Sequence, residues 1–414
     1  MTYVGVDWSD NLHWVYITND NKDRLAAFSV EHTPEGIESL FLKVKEHAQN
    51  QADVLFALET SNGLLAGAIL EAGFTLYPIN PKVVDRCRDR HTMSGKKDDR
   101  FDSMVLADIL RTDRHIHRAL LPDSLLTREL RAYTNGYEAL VRTQTRLNNQ
   151  IISCLKSYYP VALDIFEKID QPVTLGFLSK FPTPDSFRRA GKAKIENILK
   201  KNHYPGVKEK MLEIYALSKK PQFEVEEPIA RANSLLLISL VKQLKEILAS
   251  LKEFSLKMAE LLEQHPDKEI FSSLPGSGNI TTAKFISKFG DSRDKYGKVS
   301  CLQADAGTCP VTIASGQSRY IAFRYACRKS FRSAMTQFAF TSMKESEWAK
   351  QRYNKYRQGN KKHNHALRCL ANAWLEVIFP MWRDHKPYDV EKHLIGVFKE
   401  QGIFSKDVKV PAFV

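Results

Sequence analysis

The sequence predicts an α/β domain followed by mainly helical domains, and three observations support this prediction. Up to about residue 111, short apolar runs typical of strands alternate with helical patterns. Beyond residue 128, apolar residues recur at the 3.5 to 3.6 spacing of helices. With 414 residues the chain is too long for one ordinary core, so we expect two or three domains.

The N-terminal region contains predicted strands and helices in a defined order. Three strands come first, and two further strands each precede a helix. The predicted strands cover residues 3–7, 13–18, 25–30, 54–59 and 74–79. The predicted helices cover residues 37–47, 64–71, a short segment from Pro81, and 99–110. By analogy this is the order of an RNase H-like sheet, although other α/β folds share the periodicity.

Two long helices are predicted in the middle of the chain, over residues 128–158 and 229–263. Each has a heptad-like apolar stripe, and charged residues such as Lys242 and Glu246 occupy the other face of the second helix. We therefore expect a helical coiled-coil arm, formed within one chain or between chains. Simple helical core packing is the alternative.

The C-terminal region is predicted to be compact and mainly helical from about Ser272. The segment Leu274-Pro275-Gly276-Ser277-Gly278 resembles the turn of a helix–hairpin–helix element, whose glycines let backbone N–H groups approach a phosphate. An ordinary glycine-containing connection between helices is the alternative. The predicted domains are therefore residues 1–112, 113–270 and 271–414.

Positive charge is concentrated in the C-terminal region. The chain has 61 Lys and Arg against 48 Asp and Glu, a formal net charge of +13. Between Arg319 and Arg368, thirteen cations are opposed only by Glu345 and Glu347. Cations contact phosphates and aromatic rings stack on unpaired bases, so nucleic acid is the predicted partner rather than a merely solvated basic face. The interleaved aromatic residues are Tyr320, Phe323, Tyr325, Trp348, Tyr353 and Tyr356.

Cysteine use and hydropathy limit the class of protein. The six cysteines form no CxxC pair and have no zinc-ligand spacing, which is typical of reduced thiols in a cytosolic protein. The sequence begins directly with a predicted strand, so we expect no signal peptide. No apolar run reaches the roughly 20 residues of a membrane helix. We therefore expect a cytoplasmic protein with no membrane partner.

Four acidic residues lie where an α/β nuclease fold would gather them. Asp7 and Glu59 end predicted strands, and Asp99 and Asp102 are three residues apart at the start of a predicted helix. Clustered carboxylates bind Mg²⁺, and two such ions can support phosphodiester cleavage. Each residue alone could be a helix cap or a dipole partner, so only the whole set indicates a two-metal site.

A candidate nucleophile is Ser315, which precedes Gly316 on a predicted loop between helices. An exposed serine there could attack phosphorus, but Ser-Gly alone is usually a turn. From the residues alone, Ser315 has equal competitors, and a thiol is a further candidate that more often packs in a core. The competitors are Ser300, Ser318 and Ser330, and the thiol is Cys309.

The chain resembles transposases of the insertion-sequence one-ten family, in its one-eleven-eleven branch, which is related to Piv-type DNA invertases. The resemblance covers nearly the whole chain and rests on the order and spacing of short motifs. These are Gly5-Val6-Asp7-Trp8-Ser9, Leu58-Glu59-Thr60-Ser61-Asn62-Gly63, Ile79-Asn80-Pro81, Lys97-Asp98-Asp99-Arg100-Phe101-Asp102-Ser103, Leu274-Pro275-Gly276-Ser277-Gly278, Gly307-Thr308-Cys309-Pro310 with Ser315-Gly316, and His365-Ala366-Leu367.

The resemblance implies a RuvC-like domain with a DEDD acid set, a coiled-coil region and a C-terminal transposase domain with a catalytic serine. Carried over by motif, the metal-binding acids are Asp7, Glu59, Asp99 and Asp102, and the serine is Ser315. The implied cofactor is Mg²⁺ or Mn²⁺. The implied partners are donor and target DNA, a structured guide RNA, and further copies of the chain in a dimer or tetramer.

Two positions depart from the family pattern, and three other functions stay open. Asp98 stands where the family has Thr, which adds a third acid beside Asp99 and Asp102, and Ser103 replaces an Ala. The first alternative function is a RuvC-like junction nuclease that uses the acids alone. The others are a Piv-like invertase that acts without RNA, and a non-catalytic nucleic-acid-binding scaffold.

Overall fold

The computed structural model describes residues 1–61, 63–90 and 98–400, with side chains described as far as residue 395. Contacts between residues divide the chain into two compact units, one of residues 1–122 and one that starts at Asp123. The predicted domain boundaries at residues 112 and 270 stay predictions. No described helix is both long and apolar enough to cross a membrane.

The first unit is a mixed α/β structure, as predicted, with its elements in the predicted order. Its sheet has the strand order β3-β2-β1-β4-β5. The first three strands are antiparallel, whereas β4 is parallel to β1 and β5 is parallel to β4. The strands are β1 (Thr2–Asp7), β2 (Leu12–Asn19), β3 (Arg24–Glu31), β4 (Val54–Leu58) and β5 (Thr75–Pro78). The helices are α1 (Pro34–Glu46), α2 (Leu64–Glu71), α3 (Pro81–Arg88) and α4 (Asp99–Asp113).

The central strands of this sheet are covered on both faces. Alternate residues of a strand point to opposite faces, so β1 and β4 contribute to two separate cores. Val4 and Phe56 pack with residues of α1 and α2, while Tyr3 and Leu55 pack with residues of α3 and α4. This burial explains why the sequences of β1 and β4 are nearly continuous apolar runs.

The second unit is built along two long antiparallel helices, α5 (Leu125–Tyr158) and α10 (Glu227–Glu263). Their pairing follows from contacts at both ends, because Tyr133 packs on Phe254 and the Cys154 thiol donates to the Asn233 carbonyl. The antiparallel pair thus forms within one chain. Coiled-coil geometry in the strict sense stays a prediction. Between the two lie α6 (Pro172–Lys180), α7 (Pro184–Arg188), α8 (Lys192–Lys201) and α9 (Val207–Lys219).

The helix pair carries a different hydrophobic core at each end. At one end, residues of α6 to α9 pack against Ile151, Leu155 and Leu244. At the other end, Leu130, Met258 and Leu262 join a core rich in aromatic residues. The elements around this second core are α11 (Lys268–Ser272), α12 (Asn279–Phe289), α13 (Val299–Asp305), β6 (Val311–Ser315), β7 (Ser318–Ala322), α14 (Lys329–Ser342), α15 (Glu347–Gln358), α16 (His363–Arg383) and α17 (Val390–Glu400).

The predicted helix–hairpin–helix-like turn connects α11 to α12. Gly276 has a φ of +73°, which the glycine in this motif permits without strain. Its N–H donates to the Glu345 carboxylate at 2.6 Å. This N–H group therefore already has an anionic partner, and the turn's role in phosphate binding stays a prediction.

Candidate functional site

The sheet register brings two of the predicted acids to the same edge. In the parallel pair of β1 and β4, Val6 is the partner of Leu58. Asp7 and Glu59 directly follow these two residues, so both leave the sheet at the carboxyl ends of neighbouring strands. This is the edge where open α/β sheets place their ligands.

Helix α4 adds the other two acids because Gly5 allows it to approach β1 closely. A Cβ atom at Gly5 would overlap the Ser103 carbonyl oxygen and lie 2.5 Å from the Ala107 backbone nitrogen. Only glycine leaves room for that helix backbone. Asp99 and Asp102 occupy the first turn of α4. The close packing therefore places the first turn of α4 beside the end of β1.

The additional acid, Asp98, has an identified structural role. It is the N-cap residue of α4, and its carboxylate accepts a hydrogen bond from the Arg100 backbone N–H at 3.1 Å. Aspartate is a favoured cap because it satisfies an N–H group that lacks a helical partner. This role accounts for Asp98 without assigning it to a metal.

Three of the predicted acids act electrostatically on the fourth, Asp7. The pKa of Asp7 is raised from 3.8 to about 7, first by burial and then by the negative charges of Asp102, Asp99 and Glu59. The positive charge of Arg88 opposes this rise of the Asp7 pKa. Carboxylates gathered so that they raise the pKa of one of their number are a fit environment for a cation.

Arg88 is a further residue of the site, and the sequence patterns do not predict it. Its guanidinium group binds both oxygens of Asp102, through Nε to Oδ1 and through Nη2 to Oδ2 at 2.6 Å. It also contacts Asp85 at 2.6 Å. The Asp102 side chain is only 3% exposed, so this pair is largely removed from water. No signal in the sequence distinguishes Arg88 from the neighbouring Arg86 and Arg90.

Arg88 gives a physical reason why the acids are not disposed around a metal position. Among the described residues, no three His, Cys, Asp or Glu side chains are grouped so that they could hold a metal ion. Both oxygens of Asp102 are used by the guanidinium group, and a bidentate arginine is a strong partner for a carboxylate. The metal-ligand set of Asp7, Glu59, Asp99 and Asp102 therefore stays a prediction. The acid chemistry fits a divalent ion.

Ser315 lies in the second unit, and its local structure differs from the prediction. The residue was expected on a loop between helices, but it is the last residue of β6 in an exposed two-stranded hairpin. It pairs with Ser318 across a tight turn, in which Gly316 has a φ of +55°. Val311 and Ile313 in β6 and Ile321 in β7 explain the strands, since β-branched residues favour extended backbone.

The base of the hairpin is fixed to the helical core. Arg324 donates to the backbone carbonyls of Cys309 and Pro310, each at 3.3 Å. Arg328 binds Asp305 through two nitrogens and the Tyr296 hydroxyl at 2.6 Å. The exposed tip that bears Ser315 is therefore carried by an anchored base. Of the competing candidates, Ser318 lies directly opposite on the same hairpin.

A basic groove adjoins the end of β7. It has a volume of about 480 Å³, and the cations among its lining residues are Lys329, Arg332 and Arg368. Phe323, the residue after β7, forms part of the same groove. The groove is part of the basic stretch between Arg319 and Arg368, for which nucleic acid is the predicted partner.

The interleaved aromatic residues have two different environments. Tyr320 and Tyr325 are 57% and 78% exposed, so their rings are accessible to bases. Trp348 instead packs on Trp374 at 4.8 Å between ring centroids, within the C-terminal core. Tyr353 and Tyr356 are also packed against that core. The expectation of base stacking is thus compatible with the first two residues, and the other three have a structural role.

Comparisons with known proteins agree with these features. A family model described as a transposase, of the DEDD type of IS110 elements, matches residues 4–160. A second model, described as the transposase of the IS116/IS110/IS902 family, matches residues 268–354. The first match contains all four acids, and the second contains the hairpin and most of the basic stretch.

Three relatives come from insertion elements of Streptomyces. A candidate mini-circle transposase for IS117 of Streptomyces coelicolor is 28% identical over 396 residues, which cover 94% of this chain and 96% of the relative. An uncharacterized 44.8 kDa protein of IS116 from Streptomyces clavuligerus is 24% identical over 390 residues, 93% and 95% of the two chains. An uncharacterized 43.6 kDa protein of IS110 from Streptomyces coelicolor is 26% identical over 299 residues, 71% and 72% of the two chains.

Membership of a transposase family implies a DNA substrate, whose strands are cleaved and transferred, and the DEDD type suggests a requirement for a divalent metal. The two matched regions occur in the order expected of one transposase, and the IS117 relative aligns with this chain over nearly its full length. The chain belongs to the IS110/IS116/IS902 family of insertion-sequence transposases.

Proposed function

We propose that this transposase cleaves and rejoins DNA at a composite site that combines the four acids of the first unit with Ser315 of the second. The observation that carries the proposal is the pKa of Asp7, which burial and the charges of Asp102, Asp99 and Glu59 raise to about 7. Acids that serve only as surface charges or helix caps are not usually grouped so closely that they raise the pKa of a neighbouring carboxyl group. Perturbed carboxyl groups in a cleft are typical of functional sites.

In this proposal, Asp7, Glu59, Asp99 and Asp102 hold divalent metal, with Mg²⁺ as the expected ion. When bound, such ions polarise the phosphate and stabilise the developing charge on its oxygens. The chain's own contribution is to fix the carboxylates: β1 and β4 hold two of them at the sheet edge, and Gly5 allows α4 to bring the others. Arg88 must leave both oxygens of Asp102 before that residue can serve as a ligand.

Ser315 is the proposed nucleophile. Its hydroxyl oxygen would form a bond to the scissile phosphorus as the bond from phosphorus to the strand oxygen breaks, and that oxygen would leave with a proton. The product is a DNA end linked to the protein through a phosphoserine, which keeps the energy of the phosphodiester for rejoining. The exposed hairpin tip supports this role, because a duplex can approach it without unfolding of the core.

Further parts of the proposal rest on the family resemblance. The first unit would be an RNase H-like domain of the RuvC type, which its three antiparallel strands followed by two parallel ones support. The long helix pair would act as a coiled-coil arm in a dimer or tetramer. A structured guide RNA would pair with donor and target DNA, and the net charge of +13 supports such an additional polyanionic partner.

The test is a denaturing gel of labelled element-end DNA incubated with Mg²⁺, co-purified RNA and the full-length protein. The variants are Ser315→Ala, Asp99→Ala and Ser318→Ala, the last being the matched control across the hairpin turn. We expect a covalent protein–DNA band with the wild type and with Ser318→Ala, and no band with the other two variants.

Other outcomes identify the alternatives. Cleavage without a covalent band, retained in Ser315→Ala, would make the protein a metal-dependent nuclease of the RuvC type. A covalent band that survives ribonuclease treatment of the protein before DNA is added would favour an invertase-like reaction without RNA. DNA binding with no cleavage under any condition would point to a scaffold and refute the proposal.

A further inference from the structure

The basic groove contains an arrangement that the general charge of the region does not explain. Two guanidinium groups lie over one phenylalanine ring: Arg332 is 4.7 Å and Arg368 is 4.6 Å from the centroid of Phe323. An arginine over an aromatic ring is ordinary, but two on the same ring bring like charges together. An anion bound between the two guanidinium groups would offset their repulsion.

The protein itself does not supply that compensation. In the described part of the chain, neither Arg332 nor Arg368 forms an ion pair with a carboxylate, and no described residue that lines the groove is acidic. Burial lowers the pKa of Arg368, the neighbouring Cys369 opposes this shift, and the charge of Arg332 adds to it. Both observations describe two partly desolvated cations, for which an external anion is the missing partner.

The remaining lining residues suit a phosphate group. Lys329 adds a third cation, and Ser333 and Asn364 add small polar side chains. Lys329 and Arg332 lie in the first turn of α14, a 14-residue helix with no side-chain cap at its N-terminus. Free N–H groups and the helix dipole at that end also favour an anion. Arginine is the side chain whose planar fork matches phosphate oxygens best.

We propose that Arg332 and Arg368, held by Phe323, form a clamp for one backbone phosphate of a nucleic-acid strand. The proposal rests on the nucleic-acid role of this transposase and adds a defined contact to it. Two cations cover the ring of Phe323, so the clamp binds phosphate and does not stack on a base. Binding at this position is therefore independent of base sequence.

Arg332 has a second connection that links the clamp to the hairpin. Its Nη1 donates to the Arg324 carbonyl oxygen at 2.9 Å, directly after Phe323 at the end of β7. Arg324 in turn binds the carbonyls of Cys309 and Pro310 before β6. A phosphate bound by Arg332 is thus tied to both strands of the hairpin that carries Ser315. Arg332 both positions the hairpin and binds phosphate, whereas Arg368 only binds phosphate.

The test measures affinity of the full-length protein for a 30-base-pair duplex over a range of KCl concentrations. The slope of log K against log [KCl] reports the number of phosphates neutralised, and each lost contact lowers it by about one. We expect Arg368→Gln and Arg332→Gln each to reduce the slope for every sequence tested, and the double variant, which removes both arginines from the one phosphate, to reduce it by about one. Arg368→Lys keeps the charge and should keep most of the slope. A structured RNA of equal charge, used in a parallel titration, shows whether DNA or RNA supplies the phosphate.

The matched control is Arg383→Gln on the same helix, α16. Arg383 also lies over a phenylalanine, Phe379, at 5.5 Å, but it is paired with Asp384 at 3.0 Å. Its removal should leave the slope for both nucleic acids unchanged. Hydrogen exchange at β6 and β7 should increase in Arg332→Gln and stay at the wild-type rate in Arg368→Gln, which separates positioning from binding.

Wild-type slopes in both Arg332→Gln and Arg368→Gln, for DNA and for RNA, would overturn the clamp. A reduction of the slope that varies with base sequence would also overturn the clamp, because a phosphate contact carries no sequence information. The result is independent of the serine mechanism. A Ser315-dependent covalent band with unchanged slopes refutes only the clamp, and reduced slopes without any band refute only the proposed chemistry.

Discussion

Arg88→Gln offers a quantitative test of the acid site. In the protein without metal, the substitution leaves the Asp102 carboxylate buried, 3% exposed, without its bidentate partner. Removal of one member of a buried pair costs about 3–5 kcal/mol, because the remaining charge is left uncompensated. Since Arg88 is itself 19% exposed, we expect Arg88→Gln to lower the free energy of unfolding in EDTA by about 3 kcal/mol, near the lower limit of that range.

Divalent metal should offset most of that loss if Arg88 and the metal compete for Asp102. The wild type must break the ion pair to bind metal, whereas the variant presents Asp102 unpaired. A variant that binds metal about 100-fold more tightly would recover about 2.7 kcal/mol at saturation. The stability difference between variant and wild type should therefore nearly vanish in saturating Mg²⁺.

The assay is urea unfolding in EDTA and in Mg²⁺, with hydrogen exchange of β1 and α4 peptides to identify the first unit. Arg111→Gln is the matched control, because Arg111 binds Asp108 at 2.6 Å on the same helix, away from the acid set. Its loss of stability should be equal in both buffers. If Arg88→Gln also loses the same free energy with and without Mg²⁺, the competition model is wrong.

Two other substitutions probe how the acids are held together. The pKa of Asp7 is raised to about 7 in the fold, above its ordinary 3.8, so the folded state binds more protons than the unfolded state between these values. The free energy of unfolding without metal should therefore fall as pH rises from 4 to 7. In Asp7→Asn this dependence on pH should be weaker, as measured by urea unfolding at several pH values. Gly5→Ala should destabilise the first unit by about 1–3 kcal/mol or more in thermal unfolding, because its Cβ overlaps the α4 backbone. Gly67→Ala, whose Cβ would meet nothing within 4 Å, should be neutral or slightly stabilising, and equal losses at both glycines would contradict the packing argument.

Local patterns in the sequence were sufficient to predict most elements of the first unit. The predicted helix over 64–71 coincides with α2, and each end of the predicted strands agrees with β1 to β5 within one residue. These elements have strong local signals: apolar runs that end at an acid, Pro34 and Pro81 at helix starts, and Gly73 after a helix. Such signals act over a few residues and need no knowledge of the tertiary structure.

Features that depend on contacts across the chain were not predictable in the same way. Ser315 was expected on a loop, because a five-residue strand with an exposed face has a weak period-two pattern. The pairing of Arg88 with Asp102 and the two arginines on Phe323 link residues between 9 and 45 positions apart, and no local pattern selects these arginines over their neighbours. Gly5 was read as part of a motif, whereas its physical role is to accept the backbone of α4.

The acid site and the basic groove share one energetic property. Burial and nearby negative charges raise the pKa of Asp7, and Arg332 and Arg368 both lie against the ring of Phe323 without an ion pair to a carboxylate among the described residues. Each arrangement is unfavourable until an ion of the opposite sign binds. A group of the protein partly compensates the charge in each case: Arg88 binds Asp102 in the acid site, and the Arg324 carbonyl accepts a hydrogen bond from Arg332 in the groove. The like-charge repulsion destabilises the free fold, and its relief when the ion binds contributes to the free energy of binding. Metal and phosphate should therefore stabilise the two units separately, and the stabilisation by metal should disappear in Asp7→Asn while that by nucleic acid persists.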